Sequence, residues 1–82
     1  MEKKYELVKE DFLKVGRTTL YRIKALKNFS VVKAGDLGGY IQSEANLSHE
    51  GNCWVFENAK VSGNAKVSGN AEVSGDAESK GN

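Results

Sequence analysis

Proline is absent from the 82 residues, and cysteine, histidine and tryptophan occur once each, at Cys53, His49 and Trp54. Proline removes a backbone donor from a β-ladder, so its absence suits a chain made mostly of paired strands. A lone cysteine excludes an internal disulfide and a multi-cysteine metal site. One histidine, one cysteine and scattered acids do not make zinc spacing, so neither metal nor cofactor is expected. No apolar run is long enough for a signal peptide or a membrane span, and the chain reads as a cytosolic protein that avoids membranes. The formal net charge of +1 gives little general attraction to nucleic acid or acidic lipid. A chain of this length allows one small domain.

Charge is unevenly placed. Residues 1–40 carry nine Lys or Arg against five Asp or Glu, and residues 41–82 carry three against six. The two ends of the molecule therefore differ in potential, which a head-to-tail contact could use.

The second half is repetitive. From Val55 the chain reads VFENAK, VSGNAK, VSGNAE and VSGDAE, each unit with Val first, Asn or Asp fourth and Ala fifth. A six-residue period smears the valines around a helix of 3.6 residues per turn. The Gly-Asn and Gly-Asp pairs readily supply positive φ, so each unit should contain a corner. Short strand and corner in alternation is the sequence pattern of a β-helix, with Val and the small Ala inside. Strict phasing of a β-branched residue at 55, 61, 67 and 73 argues against a Gly/Ser linker. Two degenerate units precede these, Ile41 with Ala45 and Leu47 with Gly51, and the phase slips by two residues at Cys53-Trp54. Cys53 is expected as a small buried hydrophobe.

In the first half, Tyr21-Arg22-Ile23-Lys24-Ala25 alternates apolar and basic residues, which predicts a strand over 18–26. Gly16-Arg17 forms a two-residue hairpin turn joining it to Phe12–Val15, with Tyr5–Lys9 as a third strand. The glycines of AGDLGGYI (34–41) predict a tight turn or a close backbone approach. They are not a phosphate loop, since the Lys-Ser/Thr ending is missing.

The aliphatic-x-x-x-small-x pattern resembles that of hexapeptide-repeat proteins, whose left-handed β-helix uses one hexad per side of a triangle and three per coil. YRIKALKNF, KAGDLGGYI, NLSHEGNCWV and the GNAKV phrases together resemble a group of small hexapeptide-repeat proteins of bacteriophages and prophages, over roughly residues 5–78. The resemblance implies an all-β fold: a short left-handed parallel β-helix of about two coils over 41–82, capped by an N-terminal β-hairpin unit over 1–40. It also implies a phage or prophage origin, and the cytoplasm of an infected bacterium as the place of action.

Three functions compete. Hexapeptide acyltransferases are trimers with intersubunit active sites and a histidine base, and the resemblance offers His49 for that role. An exposed loop histidine is the plainer reading, because Glu50, its neighbour, points to the opposite face of a strand. The basic residues Arg17, Arg22, Lys24, Lys27 and Lys33 lie among Tyr21, Phe29 and Tyr40, which suits a nucleic-acid surface. A solvated strand face explains them more simply, so nucleic acid is not expected as the partner. The preferred reading is a non-enzymatic phage binding protein, a counter-defence factor that holds a small anionic, nucleotide-like ligand in intersubunit clefts of a homotrimer. Arg22 and Lys24 supply charge there, and Tyr40 or Trp54 a stacking face. Trp54 and Phe56 flank Val55, so with Val55 inside they project outward and form the oligomer interface. A structural module, or one that binds a host defence protein, is the remaining alternative.

Overall fold

A computed structural model describes residues 3–76 and 78–80, the last two by backbone alone. Its elements are β1 (Tyr5–Val15), β2 (Thr18–Ala25), β3 (Leu37–Ile41), a 3₁₀ turn (Glu44–Asn46), β4 (Trp54–Val55), β5 (Lys60–Ser62), β6 (Glu72–Val73) and β7 (Glu78–Lys80). The chain is all-β. Among the described residues one sheet runs β1-β2-β3-β5-β7 and a second pairs β4 with β6.

The hairpin forms at the expected place, with Gly16 at φ 63° between Val15 and Thr18. Tyr5–Lys9 is not a separate third strand. It is the first part of β1, continuous with Phe12–Val15 through a bulge between Val8 and Phe12. Three residues, Lys9 to Asp11, are extra on β1 there, since Val8 faces Arg22 and Phe12 faces Tyr21. The bulge keeps the whole 11-residue stretch paired with one partner, leaving no need for a second turn.

β2 lies antiparallel to β3, and from β3 onward the pairing is parallel. Tyr40 pairs with Lys60, Ile41 with Val61, and Leu47 with Val67, each at a separation of 20 residues. Trp54 pairs with Glu72, Val55 with Val73, and Lys60 with Glu78, each at 18. Three hexads therefore make one circuit, and the two extra residues fall where the phase slips at Cys53-Trp54. The three sets of pairs lay one circuit of the chain in parallel on the next, a stacked coil whose two sheets are not joined among the described residues. The boundary at 40/41 falls within β3, which belongs to both the antiparallel and the parallel parts.

Corners sit at the third position of the four regular hexads, at Glu57, Gly63, Gly69 and Gly75, and at Gly51, the fifth position of the degenerate unit that begins at Leu47; all five, spaced by six, have φ between 57° and 74°. Glycine takes this left-handed conformation without the Cβ clash that an L side chain meets. Glu57 is the exception and carries the strain.

First-position residues fill the coil: Ile41, Leu47, Val55, Val61 and Val67 are buried, while Val73 is half-buried. The fifth-position rule holds less well. Ala59 is buried, Ala65 half-buried, and Ala45 and Ala71 are exposed. Around Ala71 no further rung stacks among the described residues. In the degenerate first hexad the 3₁₀ turn rotates the chain, so that Asn46 rather than Ala45 points inward. Gly38 and Gly39 provide the close approach foreseen in the glycine-rich loop. A Cβ at Gly39 would lie 2.5 Å from the Ala59 carbonyl oxygen, and one at Gly38 would lie 2.6 Å from that of Val55.

Candidate functional site

The structure brings Arg22 and Tyr40 together and disperses the rest of the expected ligand set. Arg22 faces Tyr40 across the β2–β3 ladder, with its guanidinium carbon 4.4 Å from the ring centroid. Its donors are largely engaged. Nε donates to Asp11 Oδ2 at 2.9 Å, one terminal nitrogen to Gly38 O at 2.7 Å, and the other to Tyr40 Oη at 2.5 Å and Asn58 Oδ1 at 3.4 Å. This side chain ties the β1 bulge to β3 and to the coil, and four of its five N–H groups are engaged among the described residues. Lys24 is half-buried on β2 opposite Leu37.

Trp54 does not project outward. It is 1 % exposed, edge-on to Phe29 at 5.2 Å and to Tyr5 at 6.2 Å between centroids. The alternation about Val55 is sound, but the side of the strand away from the coil interior is covered by the N-terminal unit instead of by water. A stacking platform and an oligomer contact built on Trp54 are therefore corrected: the indole is core. Phe56 is half-buried and packs against that same core.

The sequence reading missed the polar cluster that joins the start of β1 to the coil. Lys4 is fully buried. Its Nζ donates to Cys53 O at 2.7 Å and Gly51 O at 3.3 Å, approaches Cys53 Sγ at 3.3 Å, and lies 4.8 Å from the Phe29 centroid. Three acceptors match three ammonium hydrogens, which is what lets a lysine be buried without a carboxylate. Tyr5 donates from Oη to Leu47 O at 2.5 Å, and Glu44 O lies 3.1 Å away. Burial, with Glu44 and Cys53 adding to it, pushes the phenol well above its ordinary pKa. Nothing in Lys3-Lys4-Tyr5 as a sequence marks these residues as core.

His49 belongs to this cluster and is not a loose loop histidine. Its ring stacks on Tyr5 at 4.2 Å and 11°. The Lys4 backbone N–H donates to Nδ1 at 3.1 Å, so Nδ1 carries the lone pair and Nε2 the hydrogen, which donates to Glu44 Oε1 at 2.8 Å. That hydrogen bond, reinforced by Lys3 at 3.3 Å, holds the Glu44 carboxyl below its usual range against a smaller opposing effect of burial. With both ring nitrogens engaged, His49 has no lone pair to offer as a general base. Among the described residues no three His, Cys, Asp or Glu side chains converge where a metal ion could sit. No helix among them is long and apolar enough to cross a membrane.

Three surface depressions stand out. One of about 560 Å³ lies between Lys27–Phe29 and His49–Asn52. One of about 160 Å³ lies beside Leu20 and Lys60. The third, about 320 Å³, is lined by Lys9, Phe12, Lys14, Thr19 and Tyr21 on the hairpin. None is lined by Arg22, Lys24, Tyr40 or Trp54.

No protein-family model matches the chain. Over 43 residues, 52% of its length, it is 44% identical to a curated protein of Escherichia coli strain K12 described as the uncharacterized acetyltransferase YdcK. Those residues span 13% of that protein.

Proposed function

We propose that this chain is a non-enzymatic binding module, built as a short left-handed parallel β-helix whose first rung is capped by the β1–β2 hairpin. The observation that carries the reading is His49, whose two ring nitrogens are both spent on holding β1 to the coil. The 18-residue circuit and the glycine corners support the left-handed hexapeptide form. Self-association as a trimer remains part of the proposal, because so small a core gains from burying further surface. Its contact is placed on exposed faces rather than on Trp54. The resemblance to phage and prophage proteins supports a role in the cytoplasm of an infected bacterium, where the module would counter a defence by binding.

The partial match to an acetyltransferase favours a second reading, in which the chain forms part of an acyl-transfer site completed by residues from elsewhere. Incubation with labelled acetyl-CoA separates the two. The binding-module reading expects no thermal shift with acetyl-CoA and no release of free coenzyme A. Turnover that disappears in His49→Gln, with the fold intact by circular dichroism, overturns it.

A further inference from the structure

The hairpin carries a face whose charges have been sorted. Phe12 and Tyr21 are direct cross-strand neighbours, and Lys14 pairs with Thr19 two positions along, so all four side chains share one side of the sheet. The three-residue bulge in β1 decides the rest. It brings Lys9 Nζ to 4.9 Å from the Tyr21 ring centroid and carries Asp11 to the opposite side, where Arg22 holds it at 2.9 Å. Among the described residues no carboxylate lines the resulting open cleft of about 320 Å³. Phe12 is 49 % exposed there, which leaves its ring open to a planar partner. Among the described residues neither Lys9 nor Lys14 has an ion-pair partner.

From this we infer that the Phe12–Tyr21 face binds single-stranded nucleic acid, with bases stacked on the rings and phosphates met by Lys9 and Lys14. Two cations without an ion-pair partner or a neighbouring acid among the described residues fit an anionic occupant, and two adjacent rings on an open face fit planar groups laid along a strand. An acidic peptide would satisfy the lysines and leave the rings without a matched partner. The surface shares Tyr21 with the basic-aromatic set considered in the sequence and otherwise differs from it. Phe29 from that set packs on Trp54, and Arg22 is engaged on the other side of the sheet. The inference rests on the chain being a binding module and names what it binds.

The test is fluorescence anisotropy of the whole chain with a labelled oligothymidylate of about 12 nucleotides, a length within the range such surfaces cover. Two lysines on single-stranded phosphate give a slope of log K against log salt near −1.4, about a sevenfold loss between 50 and 200 mM salt. Lys14→Gln should reduce the slope to about −0.7. Phe12→Ala should weaken binding by about tenfold without changing the slope. The variant residues are exposed, and circular dichroism melts confirm that each folds. Equal binding of a duplex or of a polyglutamate peptide, insensitivity to Phe12→Ala, or no binding at 50 mM salt overturns the proposal. Acetyl transfer by a chain that still binds oligothymidylate would overturn the functional reading alone.

Discussion

Asn46 offers the sharpest test of the coil. Its side chain is 1 % exposed and makes four hydrogen bonds that join two rungs. Oδ1 accepts from Gln42 N at 3.1 Å and Ser43 N at 2.9 Å, while Nδ2 donates to Gly63 O at 3.2 Å and Ala65 O at 2.8 Å. Asn46→Leu keeps the volume and removes all four. At about 1 kcal/mol each the loss is about 4 kcal/mol, offset by roughly 1.5 kcal/mol of added apolar burial. The net, about 2.5 kcal/mol, is a large part of the 4–12 kcal/mol of stability that a domain of about this size holds. It corresponds to a fall in Tm of about 10 °C or more. Asn46→Asp keeps both acceptor bonds but turns a carboxylate oxygen toward two carbonyls. Burial and those carbonyls raise the introduced carboxyl's pKa above its unfolded value, so the folded state holds the proton more tightly. The variant should be most stable below about pH 4 and lose stability as pH rises toward neutral, opposite to ordinary acid denaturation. Urea melts followed by circular dichroism at several pH values measure both effects. A leucine variant as stable as the parent, or an aspartate variant that strengthens with pH, would refute the assignment of Asn46 as the rung-joining amide.

Trp54→Ala should cost about 3–5 kcal/mol and leave the protein largely unfolded at 37 °C; parental Trp54 fluorescence should be blue-shifted and poorly quenched by acrylamide. Ready quenching in the folded protein would contradict its burial. Glu57→Gly relieves the one non-glycine corner of the hexad series and should raise stability by up to about 1 kcal/mol by urea melt. Gly39→Ala, with no room beside Ala59 and Val55, should instead prevent folding, seen as loss of the β-sheet circular dichroism signal. Glu44, held below its ordinary pKa chiefly by His49, contributes stability that is present above about pH 4.5 and is lost as pH falls through its folded value. Acid melts of Glu44→Gln should lack that component.

Local repetition was enough to read which first-position residues lie inside. Val at 55, 61 and 67 and Ile41 and Leu47 before them are interior because a six-residue period puts one apolar residue on each short wall, a matter of spacing alone. The hairpin at Gly16 and the two-residue slip at Cys53-Trp54 were likewise written in local order, and the slip reappears as the change from 20-residue to 18-residue pairing. What covers the outside of the coil was not local. Trp54 reads as exposed until Tyr5 and Phe29, 49 residues before it and 25 before it, close over it. Lys4 reads as a solvated cation until the Gly51 and Cys53 carbonyls cage it. Arg22 reads as free charge until a bulge in the partner strand delivers Asp11. His49 reads as a possible base until the Lys4 amide takes its lone pair. Each of these depends on which groups desolvate or satisfy a side chain from far along the chain, and a periodic pattern carries no information about such partners; only the packing of the N-terminal unit against the coil decides it.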